Sequence, residues 1–375
     1  MASWSDTLKL SGHVEAGITG NVDGPSNGIN FGHLFTDRAN TPLLNQLLLT
    51  AERPLDPKAT GYDFGFKLQG LYGSDARYTH AFNQFDRIIG GRYQLDLVEA
   101  NVVAHTPLLT EGGIDLKLGE FPSPMSAEVI DAAGNSLYSH SYIFNFGVPF
   151  KHTGGLAVIH LNPIVDLYLG GDTGVNAWIG AKGDNNKSPA GQAGIGLNLM
   201  DGKLTILGLT HIGPENPRDD RNLRYLNDIT ATWKVTDDLT LTTDVNYIRD
   251  DGLHAIGYGA AQYVTYALND QVTLVGRGEV WRDNNGAFVA AFPGNLDFIN
   301  AERGLVPATT IGGGRTTYGE LTFGVNYKPP VPKAIEGFVI RPELRFDGAL
   351  NGTKPFNSGT SDHQVTIATD FILPF

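Results

Sequence analysis

The chain contains no cysteine, which excludes a disulfide framework, a thiolate nucleophile and a cysteine-based zinc site. No stretch approaches the ~18 consecutive apolar residues of a membrane-spanning helix, so a helical crossing of a bilayer is excluded. Lysine and arginine form no run and the net charge is −13. Nothing would neutralise a phosphate backbone, so nucleic acid is not an expected partner. The start, MASWSDTLKL, lacks the basic region and apolar stretch of a signal peptide; an exported protein of this sequence is expected to be the mature form. Charge is scarce at 18%, against about 25% in ordinary globular chains.

What is abundant is glycine, 47 of 375 residues, and alternation. Segments in which apolar and polar residues take turns occupy 7–19, 41–54, 61–73, 92–105, 113–121, 146–161, 164–180 and 190–200, then 203–212, 222–235, 238–248, 255–268, 271–283, 316–328, 337–347 and 364–375. A period of two is the signature of half-buried strands, and no long helical period competes with it. In YQLDLVEANVVAH the parity changes around Leu97 and Val98, which predicts a bulge.

The connections have their own rhythm. After even-numbered segments they are mostly tight (LDPKAT, TPLLTEG, NP, DG, TD, ND, PPVPKAIE); after odd ones they are often long and polar, as at 20–40, 74–91, 122–145, 284–315 and 348–363. Short on one side and long on the other is the pattern of a transmembrane barrel with periplasmic turns and extracellular loops. The expected fold is therefore all-β: a single-domain transmembrane antiparallel β-barrel spanning 1–375, with about sixteen strands, a number that leaves a water-filled lumen. Bacterial outer membrane is the implied location.

The faces agree. In LKLSGHVEAGI, Leu8, Leu10, Val14 and Ile18 oppose Lys9, Ser11, His13 and Glu15. In VIRPELRFD, Ile340, Pro342, Leu344 and Phe346 oppose Arg341, Glu343, Arg345 and Asp347. So charged a face fits a wet lumen wall, with the apolar face toward lipid. Tyr62, Phe64, Tyr93, Trp233, Tyr327 and Phe375 are placed to form interfacial aromatic belts. The last segment, TIATDFILPF, reads as the strand that closes the barrel.

Chemistry-bearing motifs are weak. GPSNG at 24–28 matches G-x-S-x-G in letters, but Pro25 and Asn27 put it in a loop, whereas that motif works on a strand-to-helix elbow. The ten histidines are scattered without H-E-x-x-H or paired spacing, which predicts no zinc site. RDDG and RDNNG lack the later bidentate glutamate of a calcium loop. His13 and His105 have no serine partner legible in the sequence. No catalytic residue, metal or cofactor is expected, and an outer-membrane enzyme is the weakest reading.

The stretches FGVPFKHTGG, LTTDVNYIRDDG, GYGAAQYVTYALNDQVTLVGRGEVWRDNNG and GFVIRPELRFDG, with the terminal Phe, resemble the OmpL-like β-barrel porin-2 family. The resemblance implies an outer-membrane porin that passes small hydrophilic solutes and ions, embedded in outer-membrane lipid. Similarity to general porins implies a homotrimer, insertion by the barrel-assembly machinery through the terminal Phe375, and a third external loop that narrows the lumen. Here that loop is 122–145, and it places Glu128, Asp131, Asn135 and His140 at the constriction. Opposite it, the expected lining comprises Lys67, Asp115, Lys117, Arg224, Asp244, Arg277, Glu279, Glu320, Arg341, Glu343 and Arg345, with Arg282 and Asp228 on the same face. These charges either set the field across the lumen or interlock as cross-strand pairs such as Arg341 with Glu343 or Glu320. The acidic total favours a mild cation preference. A substrate-selective channel with a saturable solute site is the alternative.

Overall fold

The computed structural model describes residues 7–56, 60–85, 90–180 and 184–375. Met1, residues 57–59 of the first short turn and 86–89 of the second long loop lie outside the described residues. In chain order the strands are β1 (Lys9–Asn21), β2 (Pro42–Arg53), β3 (Asp63–Gly73), β4 (Gln94–Thr106), β5 (Ile114–Pro122), β6 (Lys151–His160), β7 (Val165–Asp172), β8 (Ala190–Leu199) and β9 (Leu204–Pro214). They continue as β10 (Leu223–Lys234), β11 (Leu239–Asp250), β12 (Ala255–Ala267), β13 (Val272–Asp283), β14 (Ala290–Ala291), β15 (Ile311–Gly312), β16 (Thr316–Tyr327), β17 (Val339–Ala349) and β18 (His363–Pro374). Two short helices, α1 (Ala76–Thr79) and α2 (Asp297–Glu302), lie in long loops.

Sixteen of these strands form one closed antiparallel barrel in sequence order, while β14 and β15 make a small ribbon within the loop after β13. The barrel closes where β18 pairs with β1. Gly12 N–H donates to the Phe375 carbonyl at 3.0 Å and Phe375 N–H to the Gly12 carbonyl at 2.9 Å, so no strand edge faces hydrocarbon. The DG turn between β8 and β9 shows how a sequence signal becomes geometry. Met200 and Asp201 have φ of 54° and 55°, the left-handed pair of a tight hairpin whose twist matches its flanking strands.

The expected bulge in β4 is present. Gln69 faces Glu99 and Gly70 faces Leu97, leaving Val98 as the extra residue. Val98 and Glu99 are therefore both buried. A second bulge in β2 skips Asn45, between Glu15–Gln46 and Ala16–Leu44, and turns both Asn45 and Gln46 inward, where they donate to Asp75 at 3.0 Å each.

The apolar rows point out. Leu10, Leu49, Leu118, Ile195, Ile229, Val280, Leu321, Phe323 and Ile367 are exposed, while Arg277, Arg341 and Arg345 are buried. That inversion is the reverse of a soluble sandwich and suits lipid outside. Tyr62, Phe64, Trp233, Tyr327 and Phe375 lie exposed at the short-turn rim. Arg282 departs from the expected lining. Its neighbours Trp281 and Asp283 point inward and are fully buried, so alternation sends Arg282 outward, where it donates to Thr317 Oγ1 at 2.8 Å.

Several long loops turn inward. Phe35 of the first loop packs against His140, Phe144 and, edge-on, Phe150 of the third at centroid distances of 4.6, 5.8 and 5.7 Å. Phe298 of the loop after β13 joins Tyr78 and Phe150. The long-loop half of the lumen thus has an apolar core of loop residues.

Candidate functional site

The loop between β5 and β6 lies inside the barrel, and its seat is built from wall side chains. Two wall glycines leave room: a Cβ on Gly17 would fall 2.7 Å from the Tyr138 ring, and one on Gly324 would fall 2.6 Å from Leu137 Cδ2. A π-helical turn, Ile143–Gly147, ends the loop. Such turns leave backbone N–H groups without local partners, and wall carboxylates accept from them. Glu279 takes Tyr142 N–H at 2.7 Å and Ile143 N–H at 2.8 Å. Glu343 takes Tyr138 N–H at 2.9 Å and Ser139 N–H at 3.1 Å. Asp228 takes Ser126 N–H and Asp244 takes Ala127 N–H, each at 2.8 Å.

The arginines serve the loop's carbonyls. Arg277 Nη1 donates to Ser139 O at 2.8 Å, Arg345 Nη1 to His140 O at 2.6 Å, and Arg341 Nη1 to Asn135 O at 2.7 Å and Ala132 O at 3.0 Å. Each arginine also carries acidic partners: Arg277 has Glu128 and Glu320, both at 2.6 Å; Arg341 has Glu15 at 3.0 Å and Asp370; Arg345 has Asp347 at 2.7 Å. The cross-strand pair expected between Arg341 and Glu343 is not among these. Both side chains bind loop backbone, because the loop offers each a partner of matching polarity at closer range.

The four loop residues separate into two groups. Glu128 is buried against Arg277, Ser141 and Tyr263. Burial alone would raise its carboxyl, but the Arg277 charge, the His140 ring and the Ser141 N–H together outweigh burial and hold it below the usual glutamate range. The His140 ring is buried between Phe35 and Phe144, and burial pushes its pKa down to about 4. Neither presents charge to open lumen, a correction to the expectation that both line the narrowest point. Asp131, with a side chain 35% exposed, and the partly exposed Asn135 remain on the open side. Asp131 caps the Ala132–Gly134 turn through Ala133 N–H, and Asn135 Nδ2 donates to Val129 O at 2.7 Å. Beneath them, toward the short-turn rim, is a cavity of about 540 Å³ bounded by His13, Thr50, Asp131, Asn135 and Lys328.

The remaining lining residues lie on other parts of the wall. Lys67 pairs with Glu99 at 2.7 Å. Asp115 bridges His105 at 2.6 Å and His160 at 3.3 Å, and His160 continues to Asp166 at 2.7 Å. Lys117 lies 5.6 Å over the Phe121 ring and has no carboxylate partner among the described residues. Arg224 binds Asp250 at 2.6 Å. That Asp250 is the first aspartate of RDDG, while Asp283 of RDNNG accepts the N–H groups of Gly286, Ala287, Phe288 and Val289. Both motifs are loop caps. His13 faces the lumen beside Gln46, not a serine.

A closed sixteen-stranded barrel, lipid-facing outside and charged inside, with a loop seated in its lumen, defines an outer-membrane channel. Solved structures of that class superpose along nearly the whole chain. An outer membrane channel, DcaP of Acinetobacter baumannii, matches at 13% identity and TM-score 0.57, covering 98% of this chain and 97% of its own. An anion-selective porin from Comamonas acidovorans matches at 9% identity and TM-score 0.62, covering 98% and 99%. OprB of Pseudomonas putida matches at 12% identity and TM-score 0.57, covering 98% and 94%. No curated protein matches the sequence. The chain belongs to the family described as "Putative beta-barrel porin-2, OmpL-like", whose profile matches residues 7–375, and it resides in the bacterial outer membrane.

Proposed function

We propose that the channel carries small hydrophilic solutes and ions by passive diffusion, with a mild preference for cations, and that the 122–145 loop forms its constriction. The carrying observation is the seat of that loop: backbone amides of Ser126, Ala127, Tyr138, Ser139, Tyr142 and Ile143 are all held by wall carboxylates. A loop so held narrows a lumen permanently. Asp131 and Asn135 line the narrowed passage, while Glu128 and His140 fix its shape.

The cation preference rests on the charges that remain in water. Arg277, Arg341 and Arg345 are neutralised by buried acids, so they contribute little positive potential, whereas Asp131, Asp115 and Asp166 keep exposed surface. Lys117 opposes them. The reversal potential of purified protein in a planar bilayer under a potassium chloride gradient tests this. Selectivity for potassium is expected, and a reversal potential of the opposite sign would overturn it. Flux of neutral sugars should rise linearly with concentration; saturation would favour the substrate-selective reading.

The channel assembles as a homotrimer, and the assembly machinery reads its last strand. The Phe375 ring is 61% exposed while its backbone is already paired with Gly12, which leaves the side chain free as a recognition element. Phe375→Ser should lower the amount of folded protein in the outer membrane; unchanged assembly sinks that role. Cross-linking in native membranes tests the trimer, and a monomer-only pattern excludes it.

A further inference from the structure

On the wall adjoining the loop's main seat, three side chains from three strands meet: His152 on β6, Asp172 at the end of β7 and His211 on β9. All three are buried, and their ligand atoms lie within 4.8 Å of one another. His152 Nδ1 is 3.1 Å from Asp172 Oδ2, and His211 Nε2 is 3.0 Å from Asp172 Oδ1. We propose that His152 Nδ1, His211 Nε2 and the Asp172 carboxylate form a binding site for a divalent transition metal of the zinc class.

The trio is close to a binding geometry. Ligands at about 2.0–2.1 Å from a tetrahedral zinc ion are about 3.3 Å apart; each histidine nitrogen already lies near that distance from one Asp172 oxygen, and the widest separation in the trio, within 4.8 Å, closes by rotation of the rings and the carboxylate. The donor set fits as well, since imidazole nitrogen with one carboxylate suits zinc, copper or nickel and not calcium or magnesium.

Unsatisfied atoms point the same way. His152 Nδ1, His211 Nδ1 and Glu215 Oε1 are all buried without a hydrogen-bond partner. His152 Nδ1 stands beside Asp172 without the alignment of a hydrogen bond, as a lone pair directed at an ion would. Metal on His211 Nε2 places the proton on Nδ1, which faces Glu215 Oε1 at 3.8 Å. Metal on His152 Nδ1 places the proton on Nε2, which faces Ser123 Oγ at 3.2 Å. Metal-bound histidines are normally oriented by such an outer partner on the second nitrogen. Gln192 Nε2 and Gly174 N–H, at 3.0 and 2.9 Å, steady the carboxylate. Glu215 is itself held in place, its Oε2 accepting Val175 N–H at 2.8 Å. An ion here would cross-link β6, β7 and β9.

The test uses full-length, tag-free protein folded in detergent, stripped with chelator and refolded with or without zinc or cobalt. One ion per chain should survive gel filtration, and cobalt should give the intense visible bands of four-coordinate geometry. Glu215→Gln should weaken binding about 10- to 100-fold, and His152→Gln with His211→Gln should abolish it. His363→Ala, at an exposed histidine on β18, should leave it unchanged. Far-ultraviolet circular dichroism and heat-modifiable mobility verify that each variant is folded. Substoichiometric metal on folded wild type, or full binding in the folded double variant, overturns the site.

Discussion

The arc of wall formed by β10 to β13 with β16 and β17, and the arc formed by β4 to β9, both direct titratable side chains into the lumen, but at different partners. On the first, Asp228, Asp244, Glu279 and Glu343 accept backbone amides of the inner loop, and Arg277, Arg341 and Arg345 donate to its carbonyls. On the second, histidines and aspartates bind one another across strands, as in His105–Asp115–His160–Asp166 and His152–Asp172–His211. The difference follows from what each arc faces. On the first arc the loop brings unpaired peptide groups, which buried charges satisfy with strong hydrogen bonds, whereas on the second arc the histidines find their carboxylates within the sheet. Residue types that look alike in sequence therefore serve as loop anchors on one arc and as wall ties on the other.

Breaking the first arc should have the largest effect. Arg277→Leu leaves Glu128 buried without its cation and Glu320 with only Arg345 at 3.7 Å, a loss of about 3–5 kcal/mol. Thermal unfolding should fall, and conductance should rise as the loop loosens. Lys67→Met takes a partly exposed cation from Glu99, which is buried but keeps the Asn101 amide as donor, and should cost less, about 1–3 kcal/mol. Equal effects from the two would erase the distinction between anchor and tie.

Acidification attacks the same arc. The His140 pKa is pushed from 6.5 down to about 4, so docking favours the neutral ring: its contribution is full above about 6.5 and declines as pH falls toward 4, by about 1.4 kcal/mol per pH unit. Glu128, held low by Arg277, works in the same direction, its contribution being lost as pH falls below the ordinary glutamate range. Asp75, pushed by burial up to about 7, works oppositely, because its protonation relieves a penalty. The absence of native cysteine makes Ala133→Cys, on the exposed tip, a clean spin-label site. Label mobility should increase between pH 6.5 and 4, and His140→Gln should flatten that slope; a flat wild-type profile would contradict it.

A subtler change at the anchor is Glu279→Gln. It keeps an acceptor but removes the charge assisting the Tyr142 and Ile143 amides, at a cost of about 1–1.5 kcal/mol. Hydrogen exchange at those two amides should accelerate while amides in β5 do not, and uniform protection would show the charge is dispensable. The smallest structural effect belongs to Asp115→Asn on the second arc, whose side chain is 37% exposed. Stability should change by less than about 1 kcal/mol while the reversal potential shifts toward chloride. An unchanged selectivity would remove Asp115 from the lining.

Much of the barrel was legible because its signal is local. The parity break at Leu97 and Val98 corresponds to the bulge, DG to the left-handed turn, and the sixteen alternating segments to the sixteen barrel strands within a few residues except at the ends of the sixth and seventh. Arg282 was misread because an odd offset from Arg277 changes its face, a point the alternation itself contained. The roles of Glu128 and His140 were not legible. Whether a loop carboxylate meets water or an arginine depends on Arg277, far along the chain, and on Phe35 arriving from another loop. The inward turn of the first loop and the loop after β13 left a faint trace in the apolar residues of FGHLF and AFVAAF, which polar loops seldom carry.

The sequence by itself determined the period-two pattern, hence the strands, their inward and outward faces and the alternation of short turns with long loops, because pleat geometry ties each residue to a face without reference to any distant partner. Tertiary structure alone decided which charges anchor the loop, which tie strands together, and that His152, Asp172 and His211 meet. Those outcomes depend on strand stagger and loop docking, which set distances between residues many strands apart and leave no spacing in the chain to read.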